Sequence, residues 1–474
     1  MTMENRIIEI ELNNAFSKIR TPLEPEVRTA IYESLAYEIP GAQFSPLFQQ
    51  GHWDGKKHLF TQKMQVLPTG LLGQAVQILK AYDYEVQWID SRNQIEKGIE
   101  IPIVGIELRD YQKEAVDIAL KSIRGVVQLA TGGGKTEIFA SIIGKLNVLT
   151  TVFTHTATLL HQTKKRLESR LRVPIGLIGD GQCDIHRVNV ATMQTIKNER
   201  FFNLLENSQC IIYDEAHHVP ANTMWDLHKK CTNAYWRFGF SATPWREDGS
   251  ELLLHGAVGK IIYRKSASDL IRDGWLSKPN IYMIKVPRIP GIEGWGYHQI
   301  YEAAIEKSSF RNNLIVDLCH IMYGKKRTVL VAVNKIDHGH ILLSMVAQKY
   351  PHIKAVFIRG EIDTKERDAT LTALNNKEID LVFATTVFGE GIDCPTLDCL
   401  INAKGGESSI DSIQLIGRAL RKPPGKLRAT VFDFQDSSRY FLKHANSRLW
   451  AYQTEPEFDI SIIKPEQIFG DTIR

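Results

Sequence analysis

Two stretches of this chain, from about 105 to 275 and from about 326 to 440, alternate short apolar runs with helical ones. In the first, GVVQLA, LTTVFTH, RVNVAT, QCIIYDE and AYWRFGFS are the apolar runs. In the second they are RTVLVAV, IKAVFIRG, IDLVFATT, LDCLINA and ATVFDF. Strands that are apolar along their whole length are buried on both faces, which means parallel sheets covered by helices on either side. The expected fold is therefore α/β, with two tandem parallel-sheet lobes over 105–275 and 276–445. Ahead of them, residues 1–100 read as a small α+β domain. RIIEIEL alternates like a strand, EPEVRTAIYESLAYEI has helical spacing, and GLLGQAVQILKAYDYEVQWID reads as a helix followed by a strand. SRNQIEKG follows as a linker, and the inter-lobe connection is expected near 276, ahead of the Gly/Pro-rich VPRIPGIEGWG. The segment 446–474 is expected to finish a helix begun in HANSRLWAYQ and to end as a short tail.

Composition narrows the class without choosing a function. Of 474 residues, 43% are hydrophobic and 24% charged, ordinary for a globular protein with a sizeable core. A formal charge of +4 favours a polyanionic partner only weakly. The six cysteines include no CxxC pair, so no zinc site is expected, and their sparseness fits a reducing compartment. No apolar run is long enough to span a membrane. MTMENRIIEIE lacks the features of a targeting signal, so a cytoplasmic location is expected.

LATGGGKT (Leu129, Ala130, Thr131, Gly132, Gly133, Gly134, Lys135, Thr136) follows an apolar strand and opens a helix, the context a phosphate loop requires. Its glycines let backbone N–H groups converge on phosphate oxygens, and the helix N-terminus adds positive potential. Lys135 would reach the β- and γ-phosphates of ATP, with Thr136 on Mg²⁺. The strict pattern has glycine where this chain has Leu129, so the loop is a variant. IIYDEAHH puts Asp214 and Glu215 at the end of a buried strand, Asp214 to hold Mg²⁺ and Glu215 to polarise water as general base. His217 reads as a coupling residue, and adjacent His218 is left without a role. Ser241 and Thr243 of SATP would bond the DEAH carboxylates. In LRDYQ, Gln112 suits an adenine edge and Arg109 its ring face, though the same residues also make an ordinary helix start.

The second lobe carries its own phosphate chemistry. In ATTVFGEGIDCP, Gly391 allows close backbone approach and Asp393 suits a ribose hydroxyl, unless the segment is a plain turn. QLIGRALR places Arg418 and Arg421 three apart, on one face of an expected helix, to stabilise charge on a transferring γ-phosphate, with Gln414 positioning water. Gly417 at mid-helix costs about 1 kcal/mol against alanine, a cost consistent with close approach. A lysine for phosphates in one lobe and arginines in the other imply a motor closed by nucleotide and released by hydrolysis.

In order, LRDYQ, LATGGGKT, FTHTATLLHQ, VATMQT, DEAH, SATP, ATTVFGEGID and QLIGRALR resemble the motifs of superfamily 2 helicases over roughly residues 105–435. The resemblance implies two RecA-like lobes, ATP between them and nucleic acid across both. Arg246, Glu247 and Asp248 are similar to the RED triplet of XPB-type DNA helicases. FSPLFQQGHWDGKKHLF with LPTGLL resembles the leading domain of phage UvsW-type helicases. By that likeness the chain is a DNA helicase or translocase moving 3′ to 5′ and remodelling forked or branched duplexes, monomeric, in host cytoplasm if phage-encoded. The DNA contacts carried over are Thr156, Gln162, Thr192, Gln194, Arg246, Thr385 and Thr386, groups suited to phosphate contact without sequence readout. Trp53, Lys56 and Lys57 would grip a junction, or else form a core tryptophan beside surface lysines. The alternatives are an RNA helicase, or a duplex translocase that does not separate strands.

Overall fold

The computed structural model describes residues 6–216, 221–242, 251–359, 364–385, 394 and 396–469. They fall into two compact units. The first runs to Leu129 and resumes over Gly134–Arg264; the second takes in Ala130–Gly133 and everything from Lys265.

The first unit opens with strands β1 (Arg6–Leu12), β2 (Phe16–Ile19), β3 (Ala36–Glu38), β4 (Lys56–His58), β5 (Val66–Pro68) and β6 (Tyr84–Asp90). The main sheet has the order β5-β2-β1-β6, with β3 and β4 paired separately. Alternation in β1 buries Ile8 and Ile10 and leaves Ile7 and Glu9 exposed. Helices Pro25–Ser34 and Leu72–Ala81 cover the buried face with Val27, Ile31, Ala75 and Leu79. This core does not close on itself. Leu253 belongs to it, and Trp225 packs against it. Phe16 meets the Trp225 ring edge-on at 5.8 Å. The leading domain is therefore fused to the first lobe through a shared apolar core, which the expected 1–100 unit did not include.

The first lobe contains β7 (Arg124–Leu129), β8 (Thr150–Thr154), β9 (Ile175–Gly179), β10 (Gln182–Asp184), β11 (Val188–Thr192), β12 (Cys210–Asp214), β13 (Trp236–Ser241) and β14 (Ile261–Lys265). Their order is β10-β9-β11-β8-β12-β13-β7-β14. From β9 to β7 the pairs are parallel, and β10 joins antiparallel at the edge. Strands β8, β9, β11, β12 and β13 are buried at every position, as continuous apolar runs require.

The second unit is a seven-stranded parallel sheet. Its strands are β15 (Lys278–Val286), β16 (Val329–Ala332), β17 (Ala355–Ile358), β18 (Leu381–Ala384), β19 (Cys399–Asn402), β20 (Arg428–Asp436) and β21 (Asp459–Ile463). The order is β17-β18-β16-β19-β20-β15-β21. The expected α/β architecture of two parallel-sheet lobes with a small α+β leading domain is present, but its boundaries move. The chain passes to the second unit after Arg264, ahead of the expected 275/276 division. Strand β15 lies where a connection was expected, and β21 makes part of the expected tail a strand of the sheet. Helix Arg439–Gln453 crosses the 445/446 division unbroken. No helix among the described residues is long and apolar enough to cross a membrane.

Candidate nucleotide site and nucleic-acid contacts

In a parallel sheet the C-terminal strand ends form one edge, where ligands gather. In the first unit that edge carries the ends of β7, β8, β12 and β13. After β7, Leu129 is fully buried and the chain turns through Gly132 (φ 85°) and Gly134 (φ 83°), both left-handed. A side chain is strained at that φ, which gives the glycines of LATGGGKT their physical reason. Gly134 sits at the N-cap of helix Lys135–Leu146, and Thr136 is its second residue. A Cβ on Gly134 would lie 2.4 Å from Gln112 Nε2, so the Gln112 amide rests against the loop.

At the end of β12, Asp214 is buried and Glu215 follows with φ 48°, left-handed for a non-glycine residue. The Glu215 N–H donates to Asp214 Oδ1 at 3.1 Å. Lys135 Nζ forms an ion pair with Glu215 Oε1. Burial, then the Glu215 charge, pushes the Asp214 carboxyl above its ordinary range, and Lys135 opposes that shift. Two adjacent carboxylates facing one lysine form a hard-oxygen donor set suited to magnesium. Ser241 ends β13, fully buried. His155, just past β8, acts electrostatically on Asp214. It stands inside the FTHTATLLHQ motif but received no role from the sequence, because only the β8–β12 pairing brings it to Asp214.

Gln112 is buried, and its side-chain carbonyl accepts the Arg109 N–H at 3.0 Å, capping helix Asp110–Ser122. The acceptor half of its amide thus serves the helix start. Arg109 Nη1 donates to Tyr111 Oη at 3.0 Å.

Among the residues read as DNA contacts, Thr156 caps helix Ala157–Leu171, its hydroxyl accepting the Leu159 N–H at 3.3 Å. Thr192 ends β11 buried, its hydroxyl bonded to Thr195 Oγ1 at 2.9 Å. Gln194 is exposed and Gln162 half-buried. Thr385 lies just past β18, also buried. In the leading domain Trp53 Nε1 donates to the Lys56 carbonyl at 2.8 Å, and Lys57 Nζ reaches Asn222 Oδ1 at 3.1 Å. Lys57 therefore ties the leading domain to the first lobe. His217, Thr243, Arg246, Glu247, Asp248, Thr386, Gly391 and Asp393 lie outside the described residues.

In the second unit, Ser408 caps helix Ser409–Ala419 by accepting the Asp411 N–H at 3.2 Å. Gln414 is buried and Arg418 half-buried. Arg421 does not share their helix. The helix ends at Ala419, and Arg421 forms a β-bridge with Leu276, braced by the Ser277 N–H on the Leu420 carbonyl at 2.7 Å. Pro423 and Pro424 just downstream disfavour further helix, so the two arginines project from different backbones. Gly417 has the close neighbour its cost implies: a Cβ there would stand 2.6 Å from Thr131 Cβ, which belongs to this same unit. Lys426 was missed in the sequence. After the Pro-Pro-Gly turn it returns its ammonium to the carbonyls of Ala419 and Leu397, closing the motif helix; burial lowers its pKa to about 8.

Three family models match successive parts of the chain: the N-terminal domain of the DNA helicase UvsW over residues 8–90, the res subunit of type III restriction enzymes over 105–246, and the helicase conserved C-terminal domain over 311–423. The ATP-dependent DNA helicase uvsW of Enterobacteria phage T4 is 28% identical over 476 residues, covering 91% of each chain. The DNA 3'-5' translocase XPB2 of Sulfurisphaera tokodaii is 28% identical over 362 residues, covering 67% of this chain and 79% of its own. Among solved structures, Dbp5 of S. cerevisiae bound to RNA and ADP BeF3 superposes with a TM-score of 0.55 at 14% identity, over 76% of this chain and 90% of that one. That last likeness concerns the fold alone. These matches bear out the resemblance drawn from the ordered motifs.

Proposed function

We propose that this superfamily 2 helicase is an ATP-hydrolysing DNA motor that remodels forked or branched duplexes, acting as a monomer in the cytoplasm, that of the host if the chain is phage-encoded. The observation that carries the reading is the Lys135–Glu215 ion pair at the sheet edge beside buried Asp214. Phosphates of ATP compete with Glu215 for Lys135. Once Lys135 turns to them, the Glu215 carboxylate is released to orient and deprotonate water. Thr136 and Asp214 would hold magnesium, which when bound screens the phosphate charge. Gln414 positions the water, and Arg418 and Arg421 stabilise charge on the γ-phosphate. His217, Ser241 and Thr243 couple hydrolysis to movement, while Gly391 and Asp393 serve the nucleotide.

Residues 1–100 supply DNA recognition, in keeping with the 8–90 match. Exposed Gln194 is better placed to touch DNA than Thr156 or Thr192, whose hydroxyls already have partners in the fold. The test is ATPase and strand exchange on forks, four-way junctions, linear duplexes and RNA, with Lys135→Ala as control. Branched DNA should stimulate most and Lys135→Ala should be silent. Stimulation by RNA alone would overturn the DNA assignment.

A further inference from the structure

Helix Arg439–Gln453 in the second unit buries one side, with Phe441, Ala445, Arg448 and Tyr452 inside. Its other side, with Ser409, lines an open groove of about 730 Å³. The helical residues facing that groove are Arg439, Leu442, Lys443, Asn446, Ser447 and Trp450. Trp450 is 68% exposed and Leu442 39%, unusual exposure for such side chains together on one helix. Two lining residues are cations and none is a carboxylate. Arg439 has no ion-pair partner among the described residues. Lys443 approaches Glu407 at 3.8 Å but keeps 79% of its side chain exposed, so a stronger anion can take it.

We propose that this groove binds single-stranded DNA displaced at the branch. Arg439 and Lys443, four residues apart, share a helix face and can meet successive phosphates. Ser409, Asn446 and Ser447 add hydroxyl and amide groups that contact phosphate without reading sequence. Trp450 lies eleven residues beyond Arg439, about 16 Å at the helical rise, and offers its indole face to a base. Cations for the backbone followed by a stacking ring is the pattern of sequence-independent single-strand binding. The groove would hold the freed strand away from the duplex being rebuilt. This inference rests on the DNA-motor reading.

The test compares full-length wild type with Trp450→Ala, Trp450→Phe and the double variant Arg439→Gln/Lys443→Gln. Each is titrated with a fork carrying a single-stranded tail and with the same fork trimmed flush, and ATPase is followed on linear duplex. For wild type, the tail should add affinity. Trp450→Ala should remove about tenfold of that gain, and Trp450→Phe should keep most of it. The double variant should lower the log–log salt slope on the tailed fork by about 1.4, two contacts at about 0.7 each. Duplex-stimulated ATPase should be unchanged, showing intact folding. If tail-dependent affinity and salt slope match wild type in every variant, the groove does not bind the strand, whether it is empty or holds a protein segment. If no DNA stimulates wild-type ATPase while the tail still binds through Trp450, the motor reading falls and the groove stands.

Discussion

In the first unit the residues proposed to handle nucleotide are aimed by the backbone itself. Gly134 and Glu215 both take left-handed φ just past strand ends, and Lys135 and Glu215 meet there as an ion pair. In the second unit the loop leading to Gln414 and Arg418 is aimed by side chains reaching its carbonyls. Arg311 Nη1 donates to the Ala403 carbonyl at 3.2 Å, Tyr301 Oη and Asn334 Nδ2 to that of Lys404 at 3.1 and 3.3 Å, and Arg448 Nη1 to that of Gly406. The two arginines are held in turn by buried carboxylates: Arg448 by Asp433 at 2.8 and 2.9 Å, and Arg311 by Asp436 at 2.9 Å. Backbone aiming makes a site local and sensitive to single functional atoms. Side-chain aiming makes it depend on charges buried far along the chain.

The sharpest break of this contrast is Glu215→Gln, which keeps the shape of the strand end and removes the proposed base. Turnover should fall by orders of magnitude, as general-base loss implies (about 10²–10⁴), with ATP binding retained or tightened because the carboxylate that competes for Lys135 is gone. Steady-state ATPase beside equilibrium nucleotide binding checks it. Turnover within tenfold of wild type would demote Glu215 to a partner of Lys135.

Next comes the buried-charge side. Removing Arg448 by Arg448→Ala leaves Asp433 uncompensated in the core, a loss of about 3–5 kcal/mol. The first unit buries Arg237 as deeply, yet among the described residues its guanidinium bonds the Ala234 and Cys231 carbonyls and His228 Nδ1, and no carboxylate. Arg237→Met strands no carboxylate and should cost less, about 1–3 kcal/mol. Thermal unfolding of both variants decides it, and equal losses would erase the distinction between the units.

Acid sharpens the comparison by a smaller amount. His338 in the second unit donates from Nε2 to Asn312 Oδ1 at 2.9 Å. Burial, with Arg311 adding repulsion, lowers its pKa to about 3. The folded state keeps this imidazole neutral while the unfolded chain protonates it near its ordinary 6.5. The unfolded state therefore binds more protons between those values. Stability is unaffected above about pH 6.5, declines as pH falls from there towards 3, and flattens below. By pH 4 the loss approaches roughly 3 kcal/mol. A His338→Gln variant should lack this part of the slope in unfolding followed from pH 7 to 4.

The same contrast explains what could be read from the chain. The strand–loop–helix of LATGGGKT and the strand end at Asp214 and Glu215 were legible because strand periodicity, turn chemistry and charge coincide within a few residues. Strand β15 was not: its Tyr282 and Ile284 are buried in a sheet where its parallel partners, β20 and β21, lie far downstream. Strand β21 depends on the same kind of remote partner. Arg421 was placed on a helix face because QLIGRALR keeps helical spacing to its end. The bridge to Leu276 that turns the chain out is a tertiary event. Arg448 lay in a segment read simply as helix, since nothing local marks Asp433 as its counter-ion.

The mildest test concerns a residue with two readings. Thr156 can touch DNA, or it can serve as the N-cap of helix Ala157–Leu171, where its hydroxyl already accepts the Leu159 N–H. Loss of such a cap costs about 1 kcal/mol. Thr156→Ala should therefore lower unfolding stability by about that much, and Thr156→Ser should restore it. If the hydroxyl works only as a cap, DNA affinity and its salt dependence are the same in all three proteins. A weakened DNA complex in Thr156→Ala, restored by serine, would give the first unit a contact group that is also part of its scaffold. The backbone-aimed edge would then reach from the nucleotide to the track.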